Sequence, residues 1–160
     1  MAEAAIPTRR LLALGAAAAL LAGCQTTSPP GSGIAIGAIR VDTGPLAAKG
    51  QSATAAMIKP MLERELAGLR SAHGATLLVT VTGLYLTSYA GGQAVTLGND
   101  SLESEARLIG ADGRELARYP VLAIMAPSSG GAWYRPDVDQ RRIAALAASN
   151  AEWIRRYLGG

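Results

Sequence analysis

The chain predicts an α+β fold: an antiparallel sheet of three to five strands with two helices packed on one face, in the order β-α-β-β-β-α. Three observations carry this expectation. Leu102, Ser104, Ala106 and Leu108 alternate with Glu103, Glu105 and Arg107, the pattern of a strand with one face in a core and the other in water. Residues 76–89 are rich in Val, Thr, Leu and Tyr, side chains that suit a pleated surface. Residues 52–69 and 137–158 instead repeat apolar side chains at helical spacing.

In chain order, residues 34–41 are apolar and partly β-branched, bounded by glycine and by Asp42-Thr43-Gly44-Pro45. They read as a first, largely buried strand. Gly31, Gly33 and Gly37 precede and interrupt this strand, whereas a nucleotide loop needs its glycines after a strand and opening a helix. Ser52 or Thr54 can cap the helix that follows. Its apolar face is Ile58, Leu62, Leu66 and Leu69, with Lys59, Glu63, Arg64 and Arg70 elsewhere. Pro60 removes a hydrogen bond from a helix interior, so the helix either starts there or kinks there. His73 is the single histidine, with no Cys or acid at ligand spacing, and reads as a surface residue of the closing loop rather than a metal ligand.

The long strand over 76–89 places Leu77, Val79, Val81, Tyr85 and Tyr89 on one face if its period is unbroken. A bulge at Gly83 would instead turn Leu84 and Leu86 onto the face of Val79 and Val81. A short edge strand fits around residues 94–97. After the alternating strand, Gly110-Ala111-Asp112-Gly113 carries hairpin turn chemistry. The return strand runs from Arg114 to Tyr119 and on to Met125, with Pro120 marking an edge, a bulge or a bend. Glu103 and Glu105 stand on an open face near Arg107, Arg114 and Arg118. Cross-strand ion pairs explain them better than the facing carboxylates of a glycosidase.

Trp133-Tyr134-Arg135 follows a Gly- and Ser-containing loop. These are residue types enriched at binding hot spots, which makes the three a candidate partner contact. The other reading is that the aromatics plug the end of the core in a chain with no Phe. Asp137 with Gln140 three residues on is a variant capping box, and capping with dipole complementarity explains Asp137 and Asp139 without a metal. In the last helix Ile143, Leu146, Ala147, Ile154, Tyr157 and Leu158 form the apolar stripe. Arg141, Arg142, Glu152, Arg155 and Arg156 are expected on its outer flanks. No catalytic pair of base and nucleophile, metal set or cofactor motif emerges.

The N-terminus has a different logic. Arg9-Arg10 precede an apolar run from Leu11 to Ala22, shorter than the ~20 residues a membrane-spanning helix needs and typical of an export signal. Thr8-Arg9-Arg10-Leu11-Leu12 loosely resembles a twin-arginine signal but lacks the usual downstream lysine, so ordinary Sec export is favoured. Leu21-Ala22-Gly23 stands directly before Cys24, the one cysteine of the chain. This stretch resembles the lipobox of bacterial lipoproteins. The resemblance implies that residues 1–23 are a signal peptide that is removed and that Cys24 carries diacylglyceryl and palmitoyl lipid. Residues 24–33 are then the lipidated cysteine with a Pro-, Ser- and Gly-rich flexible tether, and residues 34–160 a single domain. Gln25 in place of an aspartate favours the outer membrane, with the periplasmic side of the inner membrane as the alternative.

Charge and cysteine usage narrow the function. The formal net charge is +3, and the arginines are interleaved with acids, which is not the basic stripe of a nucleic-acid binder. With Cys24 lipidated, no disulfide is available. The element order resembles small β-α-β-β-α envelope lipoproteins of Gram-negative bacteria. That resemblance implies an architecture and an envelope location, and fold does not fix function. The first functional expectation is a non-enzymatic, membrane-anchored factor that binds or scaffolds an envelope protein partner, with the Trp133–Arg135 loop and an exposed sheet edge as candidate contacts. The alternative is a carrier or sensor of an apolar or glycan ligand held between sheet and helices. An envelope hydrolase ranks third.

Overall fold

The computed structural model describes residues 33–90, 93–94 and 98–159. The expected signal peptide, the lipobox-like stretch Leu21–Cys24, the expected tether up to residue 32 and residues 95–97 lie outside the described residues. Strands β1 (Ile36–Asp42), β2 (Ala75–Tyr85), β5 (Asp100–Ile109) and β6 (Glu115–Met125) form one sheet in the order β1-β2-β5-β6. Tyr89–Ala90 (β3) and Gln93–Ala94 (β4) make a separate two-residue hairpin. The helices are α1 (Gly44–Ala48), α2 (Ser52–Leu66) and α3 (Val138–Tyr157).

The α+β class and the single helical layer are as expected, but the sheet is mixed rather than antiparallel. β1 pairs parallel with β2, Val41 opposite Val79, while β2–β5 and β5–β6 are antiparallel. The reason is the connection. α1 and α2 carry the chain back along the sheet before β2 begins, and a crossover of that length is what parallel neighbours require. The inner face presents Ile39, Val79, Leu102, Ala106 and Val121 to Ile58 and Leu62 of α2 and to Ile143, Leu146 and Ile154 of α3, all buried.

Gly83 resolves as a bulge. The register of β2 against β5 slips between Val81 and Gly83, so that Leu84 faces Leu102 and Tyr85 faces Ser101. Leu84 and Leu86 thereby pack against the core, and Tyr85 turns outward, half exposed. Thr82 drops out of this pairing, and its carbonyl accepts a bond of 2.7 Å from Lys49 Nζ. Gln51 Nε2 donates to the Leu84 carbonyl at 3.5 Å. β1 stops opposite Thr80, so the α1–α2 junction serves the backbone of β2 beyond that point.

Pro60 does not start α2, which runs through it from Ser52, and two capping expectations are corrected. Pro60 and Ala56, whose carbonyl loses its partner, both lie on the exposed side, where water replaces the missing bond. Neither Ser52 nor Thr54 caps α2; Gln51 holds that position without a side-chain bond. Asp137 sits at the N-cap of α3 but makes no capping bond either. Its carboxylate is held by Arg135 Nε at 3.2 Å and Arg141 Nε at 2.7 Å, charge-assisted contacts that outcompete a neutral backbone donor. Pro120 sits within β6, at the edge of the sheet and opposite Glu105, where a missing N–H is tolerated.

The two ends of the sheet differ in what they hold. At one end β1 and β2 begin side by side. Gly74, at φ +141°, lies so close to the Ala35 carbonyl that a Cβ there would sit 2.0 Å from it. This close passage explains Gly74 and its neighbour Gly37. The Gly33 N–H reaches the Leu158 carbonyl at 3.4 Å, which puts the entry of the domain against the C-terminal end of α3. At the other end β2 finishes, β5 starts opposite the last residue of β6, and α3 begins.

Candidate partner-binding surface

The far end of the sheet is tied together by one buried ion pair. Asp100, the first residue of β5, and Arg142, in the second turn of α3, are both almost fully buried. Arg142 donates from Nε to Asp100 Oδ2 at 2.7 Å and from Nη2 to Asp100 Oδ1, a two-pronged fork that matches carboxylate geometry. Nη2 also reaches the Thr87 carbonyl at 2.7 Å, and Nη1 reaches Asp139 Oδ1 at 2.8 Å. The Thr87 N–H donates to Asp100 Oδ1 at 2.9 Å. The Asp100 carboxylate holds the Arg142 guanidinium above even its usual range, so Arg142 stays charged at any physiological pH. This contradicts the expectation that Arg142 lines the outer flank of its helix.

On this floor stands a cleft of about 350 Å³ open to solvent, lined by Leu86, Thr87, Trp133, Val138, Asp139 and Arg142 among others. Its rim is the segment between β6 and α3. A 3₁₀ turn over Pro127–Gly130 ends in a buried Gly130, where a Cβ would meet Arg142 Cγ at 2.5 Å and the Val138 carbonyl at 2.7 Å. Gly130 thus lets the loop press onto the start of α3. Trp133 and Tyr134 follow, with ring centroids 5.9 Å apart and edge to face. Trp133 is 51% and Tyr134 74% exposed. The aromatics therefore do not plug the core; the buried aromatic is Tyr119, stacked on Tyr157 at 5.1 Å by the C-terminal end of α3. Arg135 is oriented by Asp137, whose carboxyl is held below its usual range chiefly by Arg141 and then by Arg135.

The exposed sheet edge is also present. β6 is an outer strand, and Leu116, Leu122 and Ile124 lie half exposed along it. The open face beside it carries a charged ladder: Arg118 meets Glu115 at 2.8 Å and Glu105 at 3.1 Å, and Arg107 bridges Glu105 and Glu115 at 3.6 and 3.7 Å. Glu105 thus takes up the expected cross-strand pairing. Glu103 and Arg114 are not part of this ladder. His73 is exposed in the loop before β2.

Trp133, Tyr134 and Arg135 are consecutive and remain together, with β6 leading into their loop. Sequence reasoning missed the floor, Asp100, Thr87 and Arg142. Among the described residues no cluster of three or more His, Cys, Asp or Glu is placed to hold a metal ion, and no helix is long and apolar enough to cross a membrane. No family model, curated protein or solved structure matches the chain.

Proposed function

We propose that the protein is a lipid-anchored envelope factor, held in the outer membrane through Cys24, that binds a protein partner without catalysing a reaction. The observation that carries this reading is the exposure of Trp133 and Tyr134 on a loop at the opposite end of α3 from the entry of the domain. α3 has 20 residues, which at 1.5 Å per residue span about 30 Å. A domain tethered near Leu158 would thus present its aromatic loop away from the bilayer, toward whatever the envelope places there.

Two supports come from the chemistry of the loop. Its floor is a guanidinium–carboxylate network, so the cleft that Trp133 lines is held in shape before a partner arrives. Its residue types, two aromatics and an arginine, are those that dominate binding energy in protein interfaces.

The test has two arms. Cys24→Ser is expected to leave the membrane fraction or remain uncleaved, whereas a variant that is processed and fractionates like the parent contradicts the anchor. Trp133→Ala, exposed and therefore folded, is expected to weaken partner recovery by about tenfold or more, the effect of losing a hot-spot aromatic. Recovery of every partner at parental level contradicts the loop's role.

A further inference from the structure

The entry end of the domain carries its own surface. Trp153, on the last turns of α3, is 42% exposed although its neighbours Ile154 and Ala151 are buried. The Arg156 guanidinium lies 5.2 Å from the centre of its ring, and Tyr157 supports it from the core side at 6.4 Å. Arg155 is fixed by the Glu65 carbonyl and by Glu152 at 3.2 Å, and Arg156 also reaches Glu152 at 3.2 Å. Arg70 is exposed and bridges to Ile36 at the start of β1, so it belongs to the same end. Arg70, Arg155 and Arg156 share this end with the carboxylates of Glu152 and Glu65, and the β5–β6 turn, at the same end of the sheet, adds Arg114 with Asp112.

This end is also where the chain enters. Gly33 bonds to Leu158, one residue beyond Tyr157, and only eight residues separate Gly33 from Cys24. Even fully extended that segment reaches about 30 Å, so a lipidated Cys24 keeps Trp153 and Arg156 within reach of the bilayer surface. A tryptophan beside a cation suits the headgroup layer, where the ring is half apolar and the charge meets lipid phosphate.

We propose that this end docks on anionic phospholipid headgroups, with Trp153 entering the headgroup layer and Arg156 and Arg70 meeting lipid phosphates. The docking orients the anchored domain so that the Trp133 loop points outward. It rests on the lipoprotein reading of Cys24 and goes beyond it, since an anchor alone fixes distance and not orientation.

The experiment uses the full, lipidated chain in two single-tryptophan forms, Trp133→Phe and Trp153→Phe. Each is reconstituted into phosphatidylcholine vesicles with or without phosphatidylglycerol, containing lipid brominated near the headgroup end of its acyl chains. Trp153 emission should fall about twofold or more in the phosphatidylglycerol vesicles while Trp133 emission stays unchanged, as expected for one interfacial aromatic. Arg70→Gln with Arg156→Gln, both at exposed positions, should abolish the effect of phosphatidylglycerol, with circular dichroism confirming the fold. Protein that floats with vesicles but leaves Trp153 unquenched overturns the docking alone. Quenching of Trp133 as strong as that of Trp153 overturns it as well. Protein that does not float with vesicles at all overturns the anchor, and the docking with it.

Discussion

Arg142 and Asp100 decide how firmly the loop end is built. Removing Arg142 leaves the buried Asp100 carboxylate without its counter-charge, and removing Asp100 takes from the buried Arg142 its two-pronged partner while the contact with the exposed Asp139 stays. Arg142→Ala or Asp100→Ala should therefore lower stability by about 3–5 kcal/mol, whereas Arg142→Met combined with Asp100→Leu should recover most of it. Denaturant melts of the four proteins give the comparison, and equal losses in the single and double variants would contradict the account. Neither residue is conspicuous by type, because Arg142 follows Arg141 in a helix rich in arginine. Phase was the readable signal. Arg142 is in register with Leu146 and Asn150 on the inner stripe, and Asp100 is in register with Leu102 and Ser104 on the inner face of β5. What periodicity cannot supply is the partner, 42 residues away. The exposed acids make a smaller statement. Glu115, Asp137 and Glu152 are each held below their usual range, by Arg118, by Arg141 and by Arg156 respectively in the first instance. Lowered carboxylates contribute stability that is fully present above their unfolded values, near pH 4, and is lost as pH falls through their folded values. The denaturation midpoint should thus be level above about pH 5 and decline below about pH 4, and salt should flatten the decline because these pairs are exposed. A midpoint that stays level down to pH 2 would remove these pairs from the account.

Between α3 and β5 the polar contacts act as a register. A second pair repeats the first: Ser104 Oγ donates to Asn150 Oδ1 at 3.0 Å, buried between the two elements. The four residues from Asp100 to Ser104 span about 14 Å of strand, and the eight from Arg142 to Asn150 about 12 Å of helix, so both pairs close only in one alignment. Asn150 Nδ2 finds no hydrogen-bond partner among the described residues, and a buried donor left unpaired costs about 1–3 kcal/mol. Ser104→Ala alone should therefore destabilise by about 1 kcal/mol, while Ser104→Ala with Asn150→Leu should match or exceed the parent. A thermal melt reads the difference, and a double variant much less stable than Ser104→Ala would show that the pair contributes more than alignment. The loop element has a sharper sensitivity. Gly130→Ala drives a methyl into Arg142 and the Val138 backbone and should cost about 1–3 kcal/mol, with the start of α3 exchanging amide hydrogens faster; parental exchange there would contradict the packing described. The elements were legible to different degrees. The alternation in β5 and the stripes of α2 and α3 were readable because period follows directly from burial. The parallel pairing of β1 was not, since an apolar strand carries no mark of direction. Nor was the Gly83 bulge readable, because both of its registers bury leucine.

Across the whole molecule the two proposed contacts stand at opposite ends of one sheet. One end receives the chain against Leu158 and carries Trp153 and Arg156; the other carries Trp133 and Tyr134 over the Asp100–Arg142 floor. The candidate contact was visible in sequence as a cluster of bulky side chains, but its two readings, plug or contact, differ only in burial. The choice rests on the exposure of both rings, a fact of packing rather than of composition. The surface around Trp153 was not visible, because its meaning comes from Gly33 meeting the far end of a helix more than a hundred residues later. The claim that joins the two ends is that the domain is held at one and binds at the other. A photo-crosslinking side chain placed at Tyr134, and separately at Arg156, in intact cells reads it most directly. The account predicts protein adducts at 134 that vanish with Trp133→Ala, and lipid adducts without protein at 156. The same protein adduct at both positions, or none at 134 from a protein that is membrane-bound, would contradict it.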